Sequence, residues 1–216
     1  MTRALAQYAT LLRRASAGRP ITVQLVDPAA RRPARPVVLT EWCGDPRPGD
    51  HGLLARCTGP TLDVGCGPGR LTAALTAIGR PALGVDICGE AIRQARRRGA
   101  PAEQRCVFSP ITAEGTWRHV LLADGNIGIG GDPGGLLVRC RQLLGPGGDI
   151  LVELDPPGTG SWRGLAALRH DGRTGAPFPW AVVAADDLDT FADSAALQVV
   201  DRWTRARRWF ARLTPA

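Results

Sequence analysis

The chain has 216 residues, 44% of them hydrophobic, and a net charge of +7. That suits one domain with a real core, and no run of about twenty apolar residues is present to form a membrane-spanning helix. Six scattered cysteines form no C-x-x-C pair and no Cys/His cluster with zinc spacing. This excludes a disulfide framework or zinc module, and the cysteines read as reduced thiols of a cytoplasmic protein.

Every basic residue is arginine. The lack of lysine, with Ala, Gly, Pro and Arg enriched, looks like a coding bias. The groups Arg31/Arg32/Arg35, Arg96/Arg97/Arg98 and Arg205/Arg207/Arg208 read as solvated faces, so the charge argues only weakly for a nucleic-acid partner.

In chain order, Met1 to Pro20 is acid-free, and Ala4, Tyr8, Leu11 and Leu12 mark an amphipathic helix. Ile21 to Val26 alternates like a strand. A Pro- and Arg-rich loop from Pro28 to Pro36 leads to a pairing strand at Val37–Glu41, and Asp50 to Cys57 reads as a short helix. Strict alternation then begins: strand 61–64, helix 69–78, strand 82–86, helix 88–98, strand 104–108, strand 118–123, helix 133–144 and strand 149–154. The turn Leu144-Gly-Pro-Gly-Gly148 stops the helix before the last of these. Residues 158–185, rich in Gly, Pro, Arg and Trp, read as an insertion or hairpin. A helix at 186–196 and a hairpin at 197–204 and 207–213 close the chain. Alternating βα units predict an α/β, three-layer, Rossmann-like sandwich with a mostly parallel sheet and an antiparallel terminal hairpin. A single domain, 1–216, divides into an N-terminal lid (1–58), a binding core (59–156) and an insertion with the closing hairpin (157–216).

The most informative stretch is Thr61-Leu-Asp-Val-Gly-Cys-Gly-Pro-Gly-Arg70. Asp63 ends a strand, Cys66 lies within the turn, and Gly65, Gly67 and Gly69 let the backbone turn tightly and approach a ligand. The following helix points unpaired N–H groups into the turn. The dinucleotide fingerprint G-x-G-x-x-G fails because Arg70 stands where its last glycine would fall, and a P-loop fails for want of lysine. A second acid, Asp86, ends the next strand, where a carboxylate matches the vicinal diol of a ribose. Ile87 adjoins it.

The D-x-G-x-G-x-G turn resembles motif I of the class I S-adenosylmethionine (SAM) dependent methyltransferases, and Leu144-x-Pro-Gly-Gly148 resembles that family's L-x-P-G-G turn. The resemblance covers roughly residues 58–156. The segment Asp124-Gly-Asn-Ile-Gly-Ile-Gly-Gly-Asp-Pro133 looks like that of small bacterial members of unassigned substrate. It implies SAM held by Asp63, Gly65, Cys66, Gly67, Gly69, Asp86, Ile87 and Asp124, with Phe108 and Ser109 at the adenine. Tyr8 and Trp42 are candidates to line a lid. The Asn/Asp-Pro-Pro-Tyr/Phe signature of DNA and protein N-methylating members is missing; Asp124-Gly-Asn126 replaces it.

Methyl transfer mainly requires alignment, with a base for some acceptors. Asp124 at a strand's carboxyl end is the first candidate base and His119 the second. Asn126, Asp155 and Trp180 are placed with the acceptor, and Glu153 and His170 are further candidates. No spacing calls for a metal. The expected activity is methylation of a small molecule. An RNA methyltransferase, prompted by the charge, a non-methylating SAM-fold enzyme such as a cyclase or aminocarboxypropyl transferase, and a non-catalytic binding subunit remain alternatives. Oligomeric state is not encoded in any motif.

Overall fold

In a computed structural model the described residues are 2–29 and 32–216. Arg31 and part of the predicted Pro28–Pro36 loop therefore lie outside them, as does Met1. Helix α1 (Arg3–Ser16) is followed by strands β1 (Thr22–Val26) and β2 (Arg35–Val38), then helices α2 (Leu39–Cys43) and α3 (Asp50–Arg56). The βα core runs β3 (Thr61–Val64), α4 (Arg70–Ala77), β4 (Ala82–Asp86), α5 (Gly89–Arg97), β5 (Ala102–Gln104), β6 (Trp117–Leu122), α6 (Pro133–Leu143) and β7 (Leu144–Leu154). Strands β8 (Trp162–His170), β9 (Arg173–Thr174) and β10 (Phe178–Val182) precede α7 (Leu188–Ser194), β11 (Leu197–Arg205) and β12 (Arg208–Pro215).

The central sheet has seven strands in the order β11-β12-β7-β6-β3-β4-β5. Strands β5, β4, β3, β6 and β7 pair in parallel, and β12 is antiparallel to both β7 and β11. This is the expected Rossmann-like sandwich with its terminal hairpin. The period of two along β6 explains the layers: Val120 and Leu122 pack with α6 and α7, while Leu121 packs with α3 and α4 around Leu53, Leu71, Leu75 and Phe210. All four residues of β3 are buried, because helices cover both faces of a parallel sheet.

Three predicted boundaries differ. The third core strand is short, Ala102–Gln104 rather than 104–108, because Ser109 N–H bonds back to Cys106 C=O and closes a turn. The predicted Leu144–Gly148 turn belongs to β7 itself. Register slips between Trp117 and His119, which pair with Leu144 and Asp149, so the glycines form a bulge. Residues 39–41, placed at the end of the Val37–Glu41 strand, instead begin the helix Leu39–Cys43.

The lid and the insertion, treated separately in sequence, form one second sheet. Its order is β10-β8-β1-β2, all antiparallel, with β9 on β8. Helix α1 packs on it through Leu11, Ala15, Ile21, Val23 and Leu39, and Gln7 donates to Leu168 C=O. This sheet stands over the carboxyl ends of the central strands: Trp180 bridges Ile129, and Asp155 bridges Ala184. All six cysteines are free thiols. Among the described residues no helix is long and apolar enough to cross a membrane.

Candidate functional site

Asp63 lies one residue before the end of β3 and does not line the turn. It is buried, and its carboxylate accepts from Thr72 Oγ1 (2.7 Å) in the first turn of α4. There it holds the helix N-terminus. Burial pushes its carboxyl up to about 7, against the lowering by Thr72. Cys66 likewise buries its thiol, which lies against the position a Cβ would take on Gly84 and donates to Gly67 C=O (3.6 Å).

The three glycines of the turn all have positive φ. Gly65 and Cys66 N–H both donate to Val85 C=O (2.8 and 3.1 Å), which ties the turn to β4. A Cβ on Gly65 would sit 2.8 Å from Asn126 Nδ2 and from Ile129 Cδ1. A Cβ on Gly69 would strike Ala95 of α5 at 2.7 Å. At Gly67 the only atom within reach is the Tyr8 hydroxyl, at 3.6 Å. Tyr8 therefore caps the turn from α1, with Trp42 edge-on to it at 6.3 Å. Burial, then the nearby Asp86, pushes the Tyr8 hydroxyl well above its ordinary range.

Asp86 lies across from this turn. One carboxylate oxygen accepts Gly67 N–H (3.1 Å) and the other Cys88 N–H (2.7 Å). Burial pushes its carboxyl up to about 6, and these amides pull it back toward the ionised form. Each oxygen keeps a second acceptor site. Beside it Ile87 and Phe108 are 54% and 50% exposed, two large apolar side chains left open at one corner. Phe108 faces Gly130, where a Cβ would lie 3.2 Å from its ring. Ser109 is anchored through its backbone, its carbonyl accepting from Arg139.

The candidate base Asp124 is not free. Its carboxylate binds Arg47, Arg70 and Arg208, and its N–H donates to Glu153 (2.6 Å). Glu153 accepts two bonds from Arg208 (2.7 and 2.6 Å). Asp50, 0% exposed, accepts from Arg208 (2.7 Å) and Arg47 N–H (2.7 Å) and forms an ion pair with Arg70, itself 3% exposed. Oxygens committed to guanidinium donors cannot also collect a proton from an acceptor, so Asp124 acts here as the hub of a charge cluster. Burial lowers the Arg70 guanidinium from its ordinary value, opposed by Asp124.

His119 corrects the second base candidate. It is buried, with Nδ1 2.7 Å from Asp149 and Nε2 accepting Thr58 N–H (3.0 Å). It pairs with Thr61, at the amino end of β3, so it lies at the edge of the sheet opposite the glycine turn.

Asn126 is a brace: its Nδ2 donates to Val64 C=O (2.8 Å) and Gly65 C=O (3.0 Å). Asp155 pairs with Arg35 of β2. Trp180 packs on Phe178 and on the 126–131 loop, where Gly128 leaves no room for a Cβ against Ala181 C=O. His170 lies in β8 near Thr22. Gly65, Gly67, Gly69, Asp86, Ile87 and Phe108 thus share one corner. Asn126 braces it, Asp155 and Trp180 stand on its wall, and His119 is elsewhere. Arg47, Asp50, Arg70 and Arg208 were missed in sequence. One signal was available: an arginine in the first turn of a helix opposes the macrodipole and needs a nearby acid.

Residues 61–148 match the model of a methyltransferase domain. A ubiquinone biosynthesis O-methyltransferase from Xanthomonas oryzae is 28% identical over 108 residues, covering 43% of this chain and 41% of the relative. The chain spans less than half the length of the curated relatives it matches. A SAM-dependent methyltransferase from Bacteroides fragilis, solved with S-adenosyl-L-homocysteine, superimposes with a TM-score of 0.78 at 20% identity, covering 100% of this chain and 97% of that one. The CcbJ methyltransferase from Streptomyces caelestis gives 0.61 at 19%, covering 81% and 92%. Residues 61–148 thus match a methyltransferase domain, and the whole chain has the class I, Rossmann-like fold seen in SAM-dependent methyltransferases.

Proposed function

We propose that this chain binds SAM in the glycine corner and transfers its methyl group to a small-molecule acceptor. The observation that carries the reading is Asp86, half-buried at the end of β4. It is oriented by two backbone amides and flanked by the exposed side chains of Ile87 and Phe108. A diol, an apolar ring and a polar tail are the parts of SAM, and the carboxylate, the two apolar side chains and the Gly65–Gly69 turn suit them in that order. Bound there, SAM supplies a methyl carbon activated by its positive sulfur.

The chain's own part is alignment and exclusion of water. Tyr8 closes the turn, Asn126 fixes it, and the second sheet with Trp180 and the Arg35–Asp155 pair narrows the approach. A narrowed approach supports a small acceptor, and the similarity to ubiquinone biosynthesis O-methyltransferases supports an oxygen acceptor. With Asp124 held by arginines, rate enhancement rests on positioning.

Calorimetric titration of S-adenosylhomocysteine into the protein and into Asp86→Ala tests this. A charged hydrogen bond is worth about 1.5–3 kcal/mol, so the variant should bind roughly ten- to a hundredfold more weakly. Equal affinity in the two proteins would refute the assignment.

A further inference from the structure

Away from the glycine corner, α1, α2 and α5 border an open recess of about 560 Å³. That volume falls within the range of small-ligand sites. Its lining includes Arg97, Arg98, Thr40, Ser16 and Gln94 and contains no acid; the Ser16 hydroxyl donates to Arg13 C=O and the Gln94 amide to Glu90. Arg98 is fixed in place by donating to the Cys43 and Gly44 carbonyls, which joins α5 to the segment after α2. Arg97 is exposed. Around the recess α1 ends on Arg13 and Arg14, and α5 ends on Arg96 and Arg97. Of the acids nearby, Glu90 is shared among Arg13, Arg93 and Gln94, and Glu41 pairs with Arg47.

Basic residues in a last helical turn complement the macrodipole, and that alone accounts for an arginine on each helix. It does not account for an acid-free recess whose lining brings Arg97, Arg98 and the Thr40 hydroxyl together. Guanidinium groups bind phosphate in a bidentate, charge-assisted manner. We propose that this recess binds a phosphate-bearing small ligand, with Arg97 as the mobile donor and Arg98 and Thr40 as the fixed wall. None of these residues belongs to the glycine corner, so the site is a second one on the same domain.

The test is calorimetric titration of inorganic pyrophosphate into the full chain at low salt. Saturating S-adenosylhomocysteine is present to occupy the other site. Arg97→Glu and Ser16→Glu place an acid in the wall at exposed positions. Each should weaken pyrophosphate about tenfold or more, the worth of a lost charged hydrogen bond, and leave S-adenosylhomocysteine binding unchanged. No pyrophosphate binding at low salt, or equal affinity in both variants, overturns the proposal. A single-stranded RNA oligomer forms the last arm. Affinity that climbs with each added nucleotide and falls steeply with salt would mark an open polyanion surface and would also overturn it.

Discussion

Replacing Asp50 by alanine removes the centre of the charge cluster without touching the glycine corner. Asp50 is 0% exposed, pairs with Arg70 and accepts from Arg208 and from Arg47 N–H. Its loss leaves Arg70, 3% exposed, dependent on Asp124 alone. Removing one member of a buried pair costs about 3–5 kcal/mol, because the remaining charge stays desolvated. For a domain of this size each kcal/mol lowers the melting temperature by about 2–4 °C, so the variant should melt roughly 6–20 °C lower. That is a large share of the about 5–15 kcal/mol that holds a domain together. Thermal unfolding followed by circular dichroism measures it. Asp50→Asn keeps an acceptor for Arg47 N–H and should fall between alanine and the native protein. The reasoning fails if Asp50→Ala melts within about 2 °C of the native protein, a loss worth no more than a surface change. The cluster would then be a hydrated surface feature.

Asp63 offers a pH test. Its carboxyl is raised to about 7 from an ordinary 3.8, so the folded state holds a proton that the unfolded state releases. Folded stability therefore declines as pH rises from about 4 to about 7. Asp63→Asn carries no charge and keeps the acceptor for Thr72, so its melting temperature should gain on the native protein more at pH 8 than at pH 5; a gain independent of pH would count against the assignment. Asp86, raised to about 6, makes S-adenosylhomocysteine affinity flat at higher pH and declining as pH falls through that value. In Asp86→Asn, calorimetry should find no such decline. Gly69→Ala combines a positive φ of 80° with a contact at 2.7 Å to Ala95. Gly79→Ala has a φ of 75° and open space around it. The first should cost roughly 2–5 kcal/mol and the second about 1–2 in denaturant unfolding. Equal costs would remove the packing argument.

The glycine turn and Asp86 were legible because their geometry is local. Positive φ demands glycine within a few residues, and an acid at a strand's end lies beside the turn whenever two parallel strands are neighbours, as Asp63 and Gly84 are in register. Asp124 and His119 show the limit. Five positions apart on and just beyond one strand, they looked alike as polar residues of β6. The strand carries one to the ligand edge and the other to the opposite edge, and only the second is sealed by Asp149.

Local chain chemistry by itself thus determined the alternation of strands and helices, the turn and the ribose-type acid, since backbone sterics and apolar periodicity act over one element. Tertiary structure alone decided which acids stay free. Asp124 meets Arg70 from 54 positions away, and Asp50 meets Arg208 from 158. It also decided that β1 and β2 join β8 and β10 in one sheet over the site. The physical reason is that charge and apolar surface attract without direction. A sequence of many equivalent arginines and aliphatic strands states that each must find a partner, and only the packed fold states which one.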